Sequence, residues 1–127
     1  GLSRGGYGVW QLALMQPRRF RALIPVCAGI TATAGNPDLR VAALAGSPDP
    51  WRTTAQALRE VPVWMVHGAR DTVIPVEQSR RMAAALREAG APLHYRELPA
   101  ANHNVWDAAY GDVWLWRWLR DKLEVDA

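Results

Sequence analysis

The stretch Gly1-Leu2-Ser3-Arg4-Gly5-Gly6-Tyr7-Gly8 opens the chain and decides how the rest of it is interpreted. Its first five residues follow the pattern Gly-x-Ser-x-Gly, which is typical of a sharp strand-to-helix turn that presents a serine side chain. We expect glycine on both sides of Ser3, because a Cβ at either position would run into the backbone or a neighbouring strand. The pattern also occurs in ordinary glycine-rich turns, so the remaining sequence has to decide whether Ser3 is a nucleophile.

A turn of this kind follows a strand, yet only two residues precede Ser3. The sequence therefore predicts that the chain is the C-terminal part of a longer protein, with upstream strands missing. Its 127 residues, half of them apolar, are enough for one hydrophobic core and too few for two. We predict one partial domain over residues 1–127.

Composition excludes several classes of function. The 15 Lys and Arg residues against 12 Asp and Glu give a net charge of +3, which is spread along the chain without the basic clusters of a nucleic-acid-binding face. No apolar run is long enough to span a membrane, and no signal peptide can be read, which leaves the localisation open. The single Cys27 lies in an apolar run and is expected to be a small buried hydrophobe.

Helical and strand patterns alternate along the chain. The predicted helices cover 7–16, 39–44, 51–59, 76–89 and 113–123, and the predicted strands cover 22–27, 62–68 and 93–98. Strands that alternate with helices through short links indicate right-handed βαβ units and a mostly parallel sheet flanked by helices, an α/β fold. Ligands of such sheets bind beyond the carboxyl ends of the strands, where Ser3, Asp71 and His103 are all expected.

Elimination identifies the partners that a serine nucleophile needs. A serine hydroxyl requires a base, and the base requires an anion that fixes its tautomer. His94 lies in the middle of a predicted strand and His67 at the end of one, whereas His103 lies in a loop. Asp71 is the acid in a tight turn directly after a buried strand, and the order Ser, Asp, His suits this type of turn.

Each residue also has a simpler interpretation. Asp71 alone would be a turn or capping residue, and His103 alone would be a surface histidine. We interpret His67 as a structural, hydrogen-bonding histidine rather than one that lines the site. The triad of Ser3, Asp71 and His103 is favoured because position, order and spacing agree.

Three blocks of sequence together resemble a known superfamily. Residues 1–8, 67–75 and 102–110 are similar to the signature blocks of α/β-hydrolases, in the branch of prolyl oligopeptidase-type peptidases, dienelactone hydrolase-like proteins and phospholipase/carboxylesterase-type esterases. The resemblance covers the whole chain and implies the C-terminal half of the α/β-hydrolase fold. It implies that Ser3 is the nucleophile, that Asp71 orients His103, and that His103 transfers the proton. One departure is Asn102, where relatives often have glycine.

The resemblance implies acyl transfer without a metal or cofactor. The backbone N–H of Arg4 is expected to bind the oxyanion, together with a second donor from an upstream loop outside this sequence. We expect Tyr7 and Trp106 to line the pocket, and the tryptophans of the last helix to pack in the core.

Three alternatives stay open. The preferred function is a serine esterase that acts on a small ester, and a serine peptidase of the prolyl oligopeptidase type would use the same residues. A half-domain that is inactive until it associates with its missing N-terminal half is the third. A non-catalytic binding protein is disfavoured by the presence of all three triad residues.

Overall fold

The structure, a computed structural model, describes residues 1–124. Helices and strands alternate along these residues, with a short 3₁₀ helix at Ala42–Leu44. The elements in chain order are α1 (Arg4–Met15), α2 (Pro50–Ala57), β1 (Val63–Gly68), α3 (Glu77–Glu88), β2 (Leu93–Leu98), α4 (Trp106–Tyr110) and α5 (Val113–Leu123).

The sheet is parallel. β1 and β2 pair over their full lengths, from Val63 opposite Leu93 to Gly68 opposite Leu98. On the other side of β1, residues 23 and 26 form parallel bridges to residues 63 and 66, and Leu2 forms a further parallel bridge to Val26. The ends of four parallel segments therefore lie side by side, in agreement with the predicted mostly parallel sheet.

The prediction of a regular strand over 22–27 is wrong. Its residues lie beside β1, with hydrogen bonds from Trp64 N to Leu23 O at 2.9 Å and from Cys27 N to Val66 O at 2.8 Å. Only isolated bridges form, however, because Pro25 has no N–H to donate and Cys27 adopts a φ of 43°, outside the range of a strand. The segment is an interrupted strand.

Both faces of the sheet are covered by helices, and β1 shows why. Its six residues are all buried, and they alternate between two hydrophobic clusters, since successive side chains of a strand point to opposite faces. Val63 and Met65 pack with the cluster that contains Trp10 of α1, whereas Trp64 and Val66 pack with the cluster that contains Leu115 of α5. A strand that is buried on both faces appears in the sequence as a continuous apolar run.

Only one glycine inside α1 is required for close packing. A Cβ on Gly6 would collide with the Ala28 side chain, so this helix can approach the sheet only with glycine there. Gly5 and Gly8 face open space, which contradicts the expectation that Gly5 is needed beside Ser3. Gly1 fits the expectation, because a Cβ there would collide with the Gly5 carbonyl.

The largest differences from the predicted helices are in three places. α1 begins at Arg4 and not at residue 7. The predicted helix over 39–44 is reduced to the 3₁₀ turn, and the predicted loop before α5 contains the short helix α4.

Two of the three tryptophans of α5 do not pack in the core as predicted, whereas Trp118 does pack against the cluster that contains Leu115. Trp114 is 63% exposed and Trp116 is 48% exposed, whereas Leu115 between them is fully buried. Because successive helical residues are turned by about 100°, a helix that buries only a narrow stripe around Leu115 directs both neighbours outward. In the described part of the chain, no helix is long and apolar enough to cross a membrane.

Candidate active site

Ser3 lies at the junction between the first parallel segment and α1. Its N–H donates to Val26 O at 2.8 Å, and Val26 N–H donates to Gly1 O at 2.9 Å, so the residues before the turn are held in the sheet. Ser3 has φ 52° and ψ −118°, a backbone conformation that is rare for a residue with a side chain. Such strain is typical of turns that present a functional group.

Asp71 follows β1 in a turn, and its side chain is fully buried. Its N–H donates to Gly68 O at 3.2 Å. Its Oδ1 accepts hydrogen bonds from the N–H groups of Val73 and Ile74, each at 2.8 Å. The turn thus binds Oδ1 through two backbone N–H groups, and Oδ2 remains available to other partners.

His103 follows β2, at the neighbouring end of the sheet. Its loop lies against the turn after β1, where Arg70 N–H donates to Ala101 O at 2.9 Å. A Cβ on Gly68 would collide with the carbonyl oxygens of Ala101 and Asn102, so glycine at the end of β1 allows the two loops to meet. The His103 side chain is 19% exposed, which leaves one side open.

The structure brings the three predicted side chains into one hydrogen-bonded series. His103 Nδ1 lies 2.7 Å from Asp71 Oδ2, and His103 Nε2 lies 3.0 Å from Ser3 Oγ. A carboxylate can only accept, so Nδ1 carries the proton of the neutral imidazole. Nε2 is then free to accept the hydroxyl proton of Ser3.

The other predicted site residues lie around this series. Arg4 is the first residue of α1, so its N–H has no acceptor within the helix. Trp106 stands edge-on to the ring of His103, with ring centroids 6.0 Å apart. Tyr7 is buried, and its hydroxyl donates to Thr31 O at 2.9 Å. Roles for Arg4, Tyr7 and Trp106 in binding a substrate stay predictions.

One residue in direct contact with the series was not placed there from sequence. His67, interpreted as a structural histidine, is fully buried, and its Nε2 lies 3.2 Å from Asp71 Oδ2. The only sequence signal is that His67 and Asp71 are four positions apart, at the end of β1 and in the turn that follows it.

Loop 28–31, which follows the interrupted strand, is held by buried polar groups. Gln78 Oε1 accepts from the N–H groups of Ile30 and Thr31 at 3.0 and 3.2 Å, and its Nε2 donates to Thr31 Oγ1 at 2.6 Å. These bonds and the Tyr7 hydroxyl fix the loop next to Ser3. Sequence alone did not single out Gln78.

A separate cavity of about 480 Å³ lies between α2 and α3, where Arg81 stacks over the ring of Trp51. None of the three triad side chains lines it. We therefore do not place the substrate there. Across residues 1–124, no three His, Cys, Asp or Glu side chains are grouped so that they could hold a metal ion.

Comparison with known proteins identifies the class of fold. A thermostable esterase matches with a TM-score of 0.74 and 28% identity, over 95% of this chain and 29% of its own. An acylaminoacyl peptidase of Pyrococcus horikoshii matches with a TM-score of 0.75 and 18% identity, over 100% of this chain and 24% of its own. The parallel sheet between helices is thus that of the α/β-hydrolases, as predicted.

The chain belongs to the prolyl oligopeptidase family, Peptidase S9, whose sequence model matches residues 1–124. The esterase LipQ of Mycobacterium tuberculosis is 49% identical over 43 residues, which are 33% of this chain. A secreted protein of Arthroderma benhamiae is 32% identical over 114 residues, which are 81% of this chain. The chain spans only 12% of the length of that relative and 10% of the length of LipQ.

Proposed function

We propose that the protein is a serine hydrolase that cleaves carboxylic esters through an acyl-enzyme on Ser3. The observation that carries the proposal is the hydrogen-bonded series from Ser3 Oγ through His103 to Asp71 Oδ2, at 3.0 and 2.7 Å. It joins a nucleophile to a base and the base to a buried anion, as acyl transfer requires.

In the proposed reaction, Ser3 Oγ attacks the carbonyl carbon while its proton passes to His103 Nε2. Asp71 stabilises the imidazolium that forms. His103 then gives the proton to the leaving alcohol, and the acyl group stays on Ser3. Water, deprotonated by His103, attacks the acyl carbon, and the carboxylic acid leaves as Ser3 recovers its proton.

The oxyanion of each tetrahedral intermediate is assigned to the N–H of Arg4. This group begins α1, where the helix dipole favours negative charge. An oxyanion is usually held by two donors, and loss of one costs about a hundredfold or more in rate. We propose that the second donor comes from an upstream half of the protein, with which these residues would associate.

Ester cleavage is preferred because the esterase at 28% identity and LipQ at 49% over its segment both carry that activity in their names. A peptidase is the second candidate, because the family whose model matches residues 1–124 is that of prolyl oligopeptidase. Parallel assays with p-nitrophenyl esters and with acyl-peptide p-nitroanilides discriminate the two.

A fluorophosphonate probe tests the proposal directly. We expect covalent labelling of the wild-type chain on Ser3, identified by mass spectrometry, and none in Ser3→Ala. Ser47→Ala is the matched control, since Ser47 is far in sequence and its hydroxyl is paired with Thr53 at 2.8 Å. No labelling of this chain, but labelling of a chain extended upstream, would favour the half-domain that needs its partner. No labelling of either would reject the proposal.

A further inference from the structure

His67 is the penultimate residue of β1, and both of its ring nitrogens are engaged in the protein interior. Its Nε2 lies 2.8 Å from Ile74 O and 3.2 Å from Asp71 Oδ2. Its Nδ1 lies 2.6 Å from Ser79 Oγ, on α3. None of the His67 side chain is exposed, so water does not replace these partners.

The partners of His67 fix its tautomer. Ile74 O and the Asp71 carboxylate only accept hydrogen bonds, so Nε2 carries the proton and shares it between them. Nδ1 is left as an acceptor, and the Ser79 hydroxyl donates to it. Burial lowers the pKa of His67, which keeps the ring neutral near neutral pH.

The carboxylate of Asp71 therefore receives four donors. Two backbone N–H groups bond Oδ1 at 2.8 Å each, and His103 Nδ1 and His67 Nε2 both point to Oδ2, at 2.7 and 3.2 Å. Bonds to Oδ1 alone still allow Oδ2 to move as the carboxylate tilts. His67 supplies a second, fully buried contact to Oδ2, which holds this oxygen and withdraws part of its negative charge.

We propose that His67 is a positioning residue, which fixes Oδ2 of Asp71 toward His103 and limits how strongly Asp71 stabilises the His103 imidazolium. This inference rests on the proposed function, because it assigns His67 a part in the same series. His67 does not touch Ser3, and its effect passes through Asp71.

Loss of the Nε2 donor has two expected consequences. A carboxylate held less firmly bonds His103 in the productive geometry less often, so acylation of Ser3 slows. When Oδ2 no longer shares its charge with His67, it stabilises the His103 imidazolium more strongly. The acid limb of the pH–rate profile for acylation of Ser3 therefore moves to higher pH.

Other titratable groups also lie near His67. Asp71 and His103 face it from the turns beyond the sheet, and Glu97 pairs with it in register on β2. Glu97 is itself bonded by Arg80 of α3 at 2.9 Å, and this pair lowers the pKa of Glu97. The experiment therefore varies His67 and leaves the Arg80–Glu97 pair intact.

Two amide substitutions separate positioning from simple packing. His67→Gln places an N–H near the position of Nε2, whereas His67→Asn reaches only the position of Nδ1 and leaves Asp71 without this donor. Ser79→Ala is the matched control, because it removes a buried hydrogen bond from the same cluster and keeps Nε2–H on Asp71. Circular dichroism checks that each variant is folded.

The first measurement is the rate of fluorophosphonate labelling of Ser3 against pH. We expect His67→Asn to label about tenfold more slowly, with the midpoint of its acid limb moved up by about half a pH unit to one unit. We expect His67→Gln to return the midpoint to that of the wild type, and Ser79→Ala to lower thermal stability without moving it. An unmoved or lowered midpoint in folded His67→Asn overturns the proposal.

The second measurement does not depend on activity, and its first part needs no variant. ¹⁵N-histidine NMR of the wild type should show His67 protonated at Nε2, and the Nδ1–H resonance of His103 should move further downfield in His67→Asn. A His67 ring protonated at Nδ1 overturns the proposal even where a variant fails to fold. Absent labelling of both this chain and a chain extended upstream, with these resonances as expected, would reject the hydrolase mechanism and keep the contact between His67 and Asp71.

Discussion

His103 Nδ1 donates to Asp71 Oδ2 at 2.7 Å, although 32 positions separate the two residues. Both follow strands of the same parallel sheet, β1 for Asp71 and β2 for His103, so the pairing of those strands brings their loops together. The bond determines which nitrogen of His103 faces Ser3.

Asp71→Asn tests that bond. An amide nitrogen turned toward His103 would donate a hydrogen bond to Nδ1. The ring proton would then lie on Nε2, which could no longer accept the proton of Ser3. We expect fluorophosphonate labelling to slow by about 10⁴-fold, the size of effect seen when a triad aspartate becomes asparagine. Asp107→Asn, at an exposed position of α4, is the control and should label at the wild-type rate. Equal rates in both variants would contradict the assignment of Asp71.

Gly6→Ala and Gly8→Ala test how closely α1 packs on the sheet. The new methyl group collides with Ala28 at position 6 and meets nothing within 4 Å at position 8. We expect Gly6→Ala to lower the free energy of unfolding by about 1–3 kcal/mol and Gly8→Ala to raise it by about 0.5–1 kcal/mol. Urea denaturation measures both. Shifts of the same sign would show that Gly6 is not a close-packing position.

Cys27 is expected to be chemically inert in the folded protein. Its side chain is fully buried, and burial raises the pKa of its thiol to about 11, so almost no thiolate is present at pH 8. Iodoacetamide at pH 8 should leave the native chain unmodified and alkylate it in guanidinium chloride, as mass spectrometry would report. Rapid alkylation of the native chain would mean that the thiol is accessible.

Stability should decrease as the pH falls from about 7 to about 5. Burial lowers the pKa of His67 in the folded state, whereas the unfolded chain has the ordinary value of about 6.5. Below that value the unfolded state binds more protons, so acid favours unfolding. Urea denaturation across this range measures the slope. The slope should become shallower in His67→Gln; a flat wild-type profile would contradict the prediction.

Local patterns predicted the regular elements well. The strand at Leu93–Leu98 has the predicted bounds, and β1 and α3 each differ from prediction by one residue at their ends. Asp112 caps α5 as expected, since its side chain accepts from Trp114 N–H at 2.9 Å. These features depend on periodicity or on capping groups within a few residues, which the sequence displays directly.

Features that depend on packing partners were missed. Exposure of Trp114 and Trp116 depends on how much of α5 the sheet covers, and the sequence shows only that the helix is apolar. The open space around Gly5 depends on which part of the backbone lies opposite it. The contact of His67 with Asp71 depends on how the turn after β1 folds back.

The sequence by itself determined the fold class and the candidate residues. Both follow from residue type, order and spacing, namely a Gly-x-Ser-x-Gly stretch followed by an aspartate and a histidine after later strands. Only the tertiary structure decided that Ser3, His103 and Asp71 meet at 3.0 and 2.7 Å and that His67 shares the carboxylate. The reason is physical: a hydrogen bond depends on the positions of atoms to within tenths of an ångström, and those positions are set by strand pairing and close packing between segments distant in the chain.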